Sequence, residues 1–219
     1  IENNLHPKSR SRRADRGVGL FIIVVEGLDG TGKSSLVESL AQELKTTRCM
    51  ATRTPSKALK AARAIFDTRG GAVARAFYMV CNYVLQHEIQ QEQQNHQPSS
   101  YDDEQTEAKR LTFVVDRWYS STCAYSIGQP TQGGSEGIDA LEDDSLFQWP
   151  HDLEPPGIVL LLEATNDVRR QRVQSRNLPV DLSEWDDRLA RNEQLCQRIQ
   201  QSFKRVTGPR ETVVLDANQ

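Results

Sequence analysis

Two features of the chain predict an α/β fold. Short apolar runs recur along the 219 residues and alternate with stretches of helical patterning. A glycine-rich stretch joins the first apolar run to the first helix, as in sheets that bind nucleotide phosphates. Together they indicate a parallel sheet with helices on both faces, in three layers. The five expected strands are residues 21–25, 49–52, 112–115, 158–162 and 212–215.

Composition narrows the class of protein. The 27 Lys and Arg nearly balance 30 Asp and Glu, for a net charge of −3, so nothing overall calls for a nucleic acid or a membrane as partner. No apolar run approaches the length of a membrane span. The four cysteines form no C-x-x-C pair, which favours free thiols in a reducing compartment over disulfides or a zinc site.

We expect one domain over residues 19–219, preceded by a basic segment over residues 1–18. The segment reads as a solvated linker or the remnant of a targeting sequence; Glu2 and Asp15 interrupt its basic run, which favours the linker. The chain begins at Ile1 rather than Met, so we expect a fragment. The helix expected after the last strand is missing.

The glycine-rich stretch fits the pattern G-x-x-x-x-G-K-[ST] over residues 27–34, here called the glycine loop. Its glycines let backbone N–H groups turn towards an anion, while Lys33 reaches the outer phosphates and Ser34 supplies a hydroxyl for Mg²⁺. A chance match in a turn is disfavoured, because both flanks agree with the motif. The predicted nucleotide-binding residues are Gly27, Leu28, Asp29, Gly30, Thr31, Gly32, Lys33, Ser34 and Ser35.

Charged residues follow two further strands, where ligands of parallel sheets bind. Arg53 ends the second strand, and its planar cation suits a phosphate; a surface ion pair is the alternative. Asp116 follows the third strand and fits the carboxylate that holds metal-bound water in enzymes of this kind, although strand-end aspartates are often helix caps. Arg117 lies beside it.

Two helices are expected between the second and third strands, over residues 56–66 and 72–91. The predicted buried stripe of the second consists of Ala76, Phe77, Val80, Tyr83, Val84 and Ile89. Tyr78 and Asn82 share one face, where they could stack on a base and read its edge. The spacing favours the alternative, a core-capping Tyr78 and a solvated Asn82. Residues 86–107 read as a helix end that frays into a loop.

A lid-like pair of helices is expected between the last two strands. The first, capped by Thr165 or Asn166, carries Arg169, Arg170, Arg172 and Arg176. The second is expected to start at a capping signal at Ser183 and to run to about residue 206. For Arg169 and Arg170 individually, a solvated helix face is favoured.

These residues form two phosphate-directed zones, the glycine loop and the arginines at other strand ends. This arrangement favours a small kinase whose phosphate acceptor is itself a phosphate. A GTPase-like switch is disfavoured because no Asn-Lys-x-Asp segment appears. A nucleotide-binding module without turnover remains an alternative.

Several segments of the chain resemble the thymidylate kinase family. They are residues 26–34, 52–55 and 215–217, and residues 116–118 together with Ser121 and Tyr125. Residues 76–83 and 148–153 resemble its mitochondrial UMP-CMP kinase branch. The resemblance implies the P-loop nucleoside monophosphate kinase fold with a helical lid, and ATP-dependent, Mg²⁺-dependent phosphorylation of UMP, CMP, dUMP or dCMP. A dTMP kinase is the alternative. It also implies small-molecule nucleotides as partners and a mitochondrial location, with the cytoplasm as alternative, and leaves a homodimer open.

The resemblance implies a role for each matching residue. Asp29 would contact the acceptor sugar, Tyr78 would stack on the pyrimidine, and Asp116 would order the water shell of the metal. The implied catalytic residues are Lys33, Arg117 and Arg176. The implied acceptor-binding residues are Asp29, Arg53, Tyr78, Asn82, Arg117 and Tyr125. Arg172 would serve ATP, while Ser34 and, through water, Asp116 would serve the metal.

Three departures from the family pattern stand out. Asn82 stands where the family usually has a base-contacting arginine, which argues against thymine and for uracil or cytosine. Gly30 and Thr31 are not basic, so the lid must supply positive charge. Trp118 stands where the family commonly has tyrosine.

Overall fold

A five-stranded parallel sheet organises the chain. The computed structural model describes residues 19–44, 48–69, 71–96, 110–128, 144–175 and 192–219. The strands are β1 (Leu20–Gly27), β2 (Arg48–Arg53), β3 (Leu111–Asp116), β4 (Ile158–Glu163) and β5 (Thr212–Asp216). Their order is β2-β3-β1-β4-β5, with every neighbouring pair parallel. The five predicted strands are confirmed, each extended by one to three residues.

Helices connect the strands, as predicted. They are α1 (Lys33–Glu43), α2 (Lys60–Asp67), α3 (Gly71–Asn95), α4 (Tyr119–Gly128), α5 (Asn166–Gln174) and α6 (Glu193–Arg205). Short 3₁₀ turns lie at Lys57–Leu59 and Asp144–Phe147. No helix in the described segments has both the length and the apolar character needed to cross a bilayer.

The inner strands of the sheet are buried on both faces. On one face, Ile22 and Val24 of β1 pack in a cluster with α3 and α4 residues, including Leu85. On the other, Val25 packs with Val37 of α1. Successive residues of β1 therefore serve opposite layers, because side chains alternate along a strand. This confirms the three-layer arrangement.

The buried stripe of α3 differs from the predicted one. Phe77, Cys81, Leu85 and Ile89 are buried at a spacing of four residues, whereas Val80 is 57% exposed. Ala76 and Tyr83 are also exposed, so the prediction was right for Phe77 and Ile89 but wrong for these three positions. The helix also runs to Asn95, so residues 86–95 do not fray as expected.

The predicted continuous helix from Ser183 to residue 206 is also wrong. Asn192 has an extended backbone, and its side-chain oxygen accepts a hydrogen bond from the Leu195 N–H at 3.0 Å. A new helix, α6, therefore begins at Glu193. Arg176 and the rest of residues 176–191 lie outside the described residues.

Candidate active site

The glycine loop follows β1 and wraps the start of α1. Gly27 and Gly30 have φ angles of 137° and 83°. A Cβ at Gly27 would lie 2.5 Å from the Leu162 carbonyl oxygen, and one at Gly30 would lie 2.6 Å from the Arg169 carbonyl oxygen. Side chains are excluded at both positions, because backbone conformation and close packing each require glycine. The loop is therefore held against β4 and α5.

Polar side chains of the loop turn inward. The Lys33 ammonium is buried and donates to the Leu28 carbonyl at 2.7 Å, and the Thr31 hydroxyl donates to the same carbonyl at 2.9 Å. Gly32 has a left-handed backbone just before α1, and Ser35 is exposed in its first turn. Burial and the Arg117 charge lower the pKa of Lys33 to about 7, although nearby carboxylates act in the opposite direction.

Ser34 and Asp116 meet at the edge of the loop. The Ser34 hydroxyl donates to Oδ2 of Asp116 at 2.8 Å, across 82 residues of sequence. A hydroxyl oxygen beside a carboxylate is a donor set that suits Mg²⁺, which prefers oxygen ligands and retains several waters. These two side chains fit the ion that the sequence predicts.

Arg53 and Arg117 face the same cluster of charges. Nη2 of Arg53 lies 3.8 Å from Oδ2 of Asp116. Arg117 donates from Nη2 to Oδ1 of Asp29 and from Nη1 to the Ser121 hydroxyl, at 2.5 and 3.0 Å. Arg117 also has a φ of 67°, a left-handed conformation that is uncommon outside glycine and concentrates at functional sites. Neither arginine turns away from the glycine loop.

Asp29 joins the loop to the arginine. Its second carboxylate oxygen accepts from the Tyr125 hydroxyl at 3.2 Å. Burial alone would raise the pKa of Asp29, but the positive charges of Arg117 and Lys33 outweigh it and hold the pKa below its usual range. Burial and the Asp29 charge raise the pKa of Tyr125. The carboxylate is therefore ionised and the phenol is a donor at neutral pH.

Arg172 lies over the other side of the loop. Its Nη1 donates to the Ala217 carbonyl at 2.7 Å and lies 3.5 Å from the Thr31 carbonyl. Arg169 does not lie on a solvated face, contrary to expectation. It is 5% exposed and donates to the Asp29 carbonyl, to Asn166 and to the Cys196 sulfur. Arg170 has a half-exposed side chain, as expected.

Tyr78 and Asn82 engage different helices. The Tyr78 hydroxyl donates to Asp67 at the end of α2, at 2.7 Å. Asn82 is 0% exposed, and its amide donates to the Thr122 hydroxyl on α4 at 3.1 Å. The interpretation of Asn82 as a solvated residue is wrong, because its amide is buried between α3 and α4. Its backbone carbonyl also accepts from the Trp118 indole.

Glu26 was missed as a site residue. It lies fully buried at the end of β1 and accepts hydrogen bonds from the residues that begin α4. The signal was present in the sequence: a lone acidic residue in an otherwise apolar strand must find partners if it is buried.

Comparisons with known proteins identify the family of the chain and agree with its fold. The family model for thymidylate kinase matches residues 25–219. Human mitochondrial UMP-CMP kinase 2 is 29% identical over 188 residues, which cover 86% of this chain but only 37% of that protein. A thymidylate kinase from Candida albicans superposes with a TM-score of 0.60 at 17% identity, covering 93% of this chain and 86% of the other. A thymidylate kinase from Ehrlichia chaffeensis superposes with a TM-score of 0.55 at 18% identity, covering 92% of this chain and 89% of the other. The chain belongs to the thymidylate kinase family.

Proposed function

We propose that this chain is the catalytic part of an ATP-dependent kinase of pyrimidine nucleoside monophosphates, with UMP and CMP, or their deoxy forms, as acceptors. One observation carries the proposal. Arg117, at the tip of β3, is bonded to Asp29 inside the glycine loop, so a cation suited to a second phosphate borders the triphosphate site. A nucleotide switch needs no such second cation.

The residues divide the work of phosphoryl transfer. Lys33 and the loop N–H groups hold the β- and γ-phosphates of ATP, while Arg172 covers the loop from the lid side. Ser34 and, through water, Asp116 would hold Mg²⁺, which would supply positive charge against the phosphates. Arg53 and Arg117 hold the acceptor phosphate. Its oxygen attacks the γ-phosphorus, a phosphoanhydride bond forms, and ADP leaves.

The nucleoside end of the acceptor is less closely defined. Asp29, which accepts a hydrogen bond from Tyr125, would bind a sugar hydroxyl, and Tyr78 is the proposed stacking partner of the base. Asn82 is a weak guide to the base, because its amide is buried against Thr122. The proposed preference for uracil or cytosine is therefore drawn by analogy with human UMP-CMP kinase 2. By the same analogy we propose a mitochondrial location, with the cytoplasm as alternative.

A dTMP kinase is the second candidate, because the family model and both solved relatives are thymidylate kinases. Initial rates with UMP, CMP, dUMP, dCMP and dTMP, at fixed ATP and Mg²⁺, separate the two. We expect kcat/KM for UMP or CMP to exceed that for dTMP by about tenfold or more, the scale on which a pocket senses one methyl group. A preference for dTMP would reject the pyrimidine assignment and keep the kinase. ATP hydrolysis that ignores every acceptor would reject the kinase.

A further inference from the structure

Glu26 is a buried carboxylate with a defined set of partners. It accepts hydrogen bonds from the Trp118 N–H at 2.9 Å, the Ser121 N–H at 3.1 Å and the Ser121 hydroxyl at 2.5 Å. Removing a carboxylate from water costs several kcal/mol, roughly, unless hydrogen bonds replace the lost hydration. Burial raises the pKa of Glu26, while these hydrogen bonds and the Arg117 charge act to lower it.

The carboxylate fixes where α4 begins. The first N–H groups of a helix lack partners within the helix and carry partial positive charge. The N–H groups of Trp118 and Ser121 lie at the start of α4, and Glu26 reaches both from β1. The end of the central strand and the start of α4 are therefore held in one position relative to each other.

The same carboxylate sets the direction of the Ser121 hydroxyl. The Ser121 hydroxyl donates its proton to Oε2 of Glu26, while Oε1 of Glu26 is occupied by the two backbone N–H groups. Its oxygen lone pairs are then free to accept from Nη1 of Arg117, which lies 3.0 Å away. Arg117 therefore donates two hydrogen bonds, from Nη1 to Ser121 and from Nη2 to Asp29.

We propose that Glu26 is a positioning residue that orients the Arg117 guanidinium towards the acceptor phosphate by fixing the proton of the Ser121 hydroxyl. The proposal rests on the acceptor role of Arg117 in the proposed function. It assigns a purpose to a buried acid that itself touches neither nucleotide.

Three variants and a matched control test this chain of contacts. Glu26→Gln keeps the shape, but its amide can donate to Ser121 and compete with Arg117 for the hydroxyl lone pairs. Ser121→Ala removes the hydroxyl, and Ser121→Thr restores one. Ser120→Ala is the control, since Ser120 is a buried serine one position earlier on the same helix.

We expect Glu26→Gln and Ser121→Ala each to lower kcat/KM for UMP by about tenfold, the scale for hydrogen bonds to charged groups, and KM for ATP to stay within about twofold. The double variant should lose about as much as either single variant, because the two residues act through one contact. Ser121→Thr should recover most of the loss, and Ser120→Ala should match the wild type.

Unchanged UMP kinetics in Ser121→Ala would overturn the proposal, as would losses that multiply in the double variant or a matching rise in the KM for ATP. If Glu26→Gln does not fold, the Ser121 pair decides alone. Calorimetric binding of UMP separates this inference from the proposed function. A wild type that binds UMP about tenfold more tightly than Ser121→Ala but transfers no phosphate keeps the positioning role and rejects the kinase.

Discussion

Nucleotide binding is expected to weaken as pH rises through 7, because of Lys33. Its ammonium is 6% exposed and donates to the Leu28 carbonyl at 2.7 Å. Burial, and then the charge of Arg117, lower its pKa to about 7 against the opposing effects of Asp29, Asp116 and Glu26. The charge of Lys33 is therefore expected to change with pH around neutrality, and a triphosphate is bound by the charged form.

The expected change in nucleotide affinity follows from the fraction of Lys33 that is protonated. With a pKa of about 7, that fraction is about 0.9 at pH 6 and about 0.1 at pH 8, and the observed affinity scales with it. The bound phosphates raise the pKa of Lys33, so affinity is full below pH 7 and is lost as pH rises. We expect the Kd for a non-hydrolysable ATP analogue with excess Mg²⁺ to rise about tenfold between pH 6 and pH 8.

Isothermal titration calorimetry in two buffers of different ionisation enthalpy measures both quantities. Proton uptake on binding should grow from about 0.1 at pH 6 to about 0.9 at pH 8. Lys33→Arg is the matched control, since a guanidinium stays charged throughout this range. A wild-type Kd that is flat with pH, or an equal slope in the arginine variant, would refute the reasoning.

Three further expectations address the metal, the core and the lid. Ser34→Ala should raise the Mg²⁺ concentration for half-maximal activity by about tenfold in a Mg²⁺ titration, through loss of an oxygen ligand, and EDTA should abolish turnover; an unchanged midpoint would remove Ser34 from the metal site. Leu85→Ala should lower the free energy of unfolding in urea by about 2–5 kcal/mol, whereas the exposed Val80→Ala should stay within about 0.5 kcal/mol; equal effects would contradict the buried stripe. Arg169→Met should lower the free energy of unfolding in urea by about 1–3 kcal/mol, because the Asp29 carbonyl in the glycine loop loses its hydrogen-bond donor. Arg170→Met should change this free energy by no more than about 0.5 kcal/mol. An Arg169→Met variant as stable as the wild type would show that the buried guanidinium is dispensable.

The positions of the inner strands were predictable because their burial leaves a strong pattern. All six residues of β3 are buried, and a strand covered on both faces reads as one continuous apolar run. The charged residues that follow such runs were predictable for the same reason. Parallel strands bring their carboxyl ends to one edge, so Arg53, Asp116 and Arg117 had to lie near the glycine loop.

The face that α3 buries was less predictable. Apolar residues occur around much of this helix, so several stripes fit its sequence equally well. The buried one, through Cys81 and Leu85, is selected by where the sheet and α4 lie. Val80 resembles Leu85 in sequence terms but lies on the exposed face. Sequence periodicity gives the existence of a helix more reliably than its orientation.

Arg169 shows the limit for single charged residues. On sequence alone, a solvated face is the reasonable expectation for an arginine in a basic helix. Besides the nearby Asn166, Arg169 donates to the Asp29 carbonyl, 140 residues away, and to the Cys196 sulfur, 27 residues away. Neither contact follows from local spacing, because both exist only after the loop, α5 and α6 have packed together.

Under the proposed function, the charges at the site call for further positive charge from a metal ion and from the lid side. Cations and carboxylates are equal in number in this cluster; they are Lys33, Arg53 and Arg117 against Glu26, Asp29 and Asp116. Because the pKa of Lys33 is also lowered to about 7, a triphosphate and a monophosphate would add several negative charges to a cluster that has no surplus of positive charge. In phosphoryl transfer the protein contributes mainly positioning and electrostatic stabilisation, so the site must above all neutralise this excess negative charge. Among the described residues, this positive charge could come from a Mg²⁺ ion, which Ser34 and Asp116 would hold, and from the guanidinium of Arg172. Because Arg172 lies on α5, its contribution to the site depends on how that helix packs against the loop at Gly30.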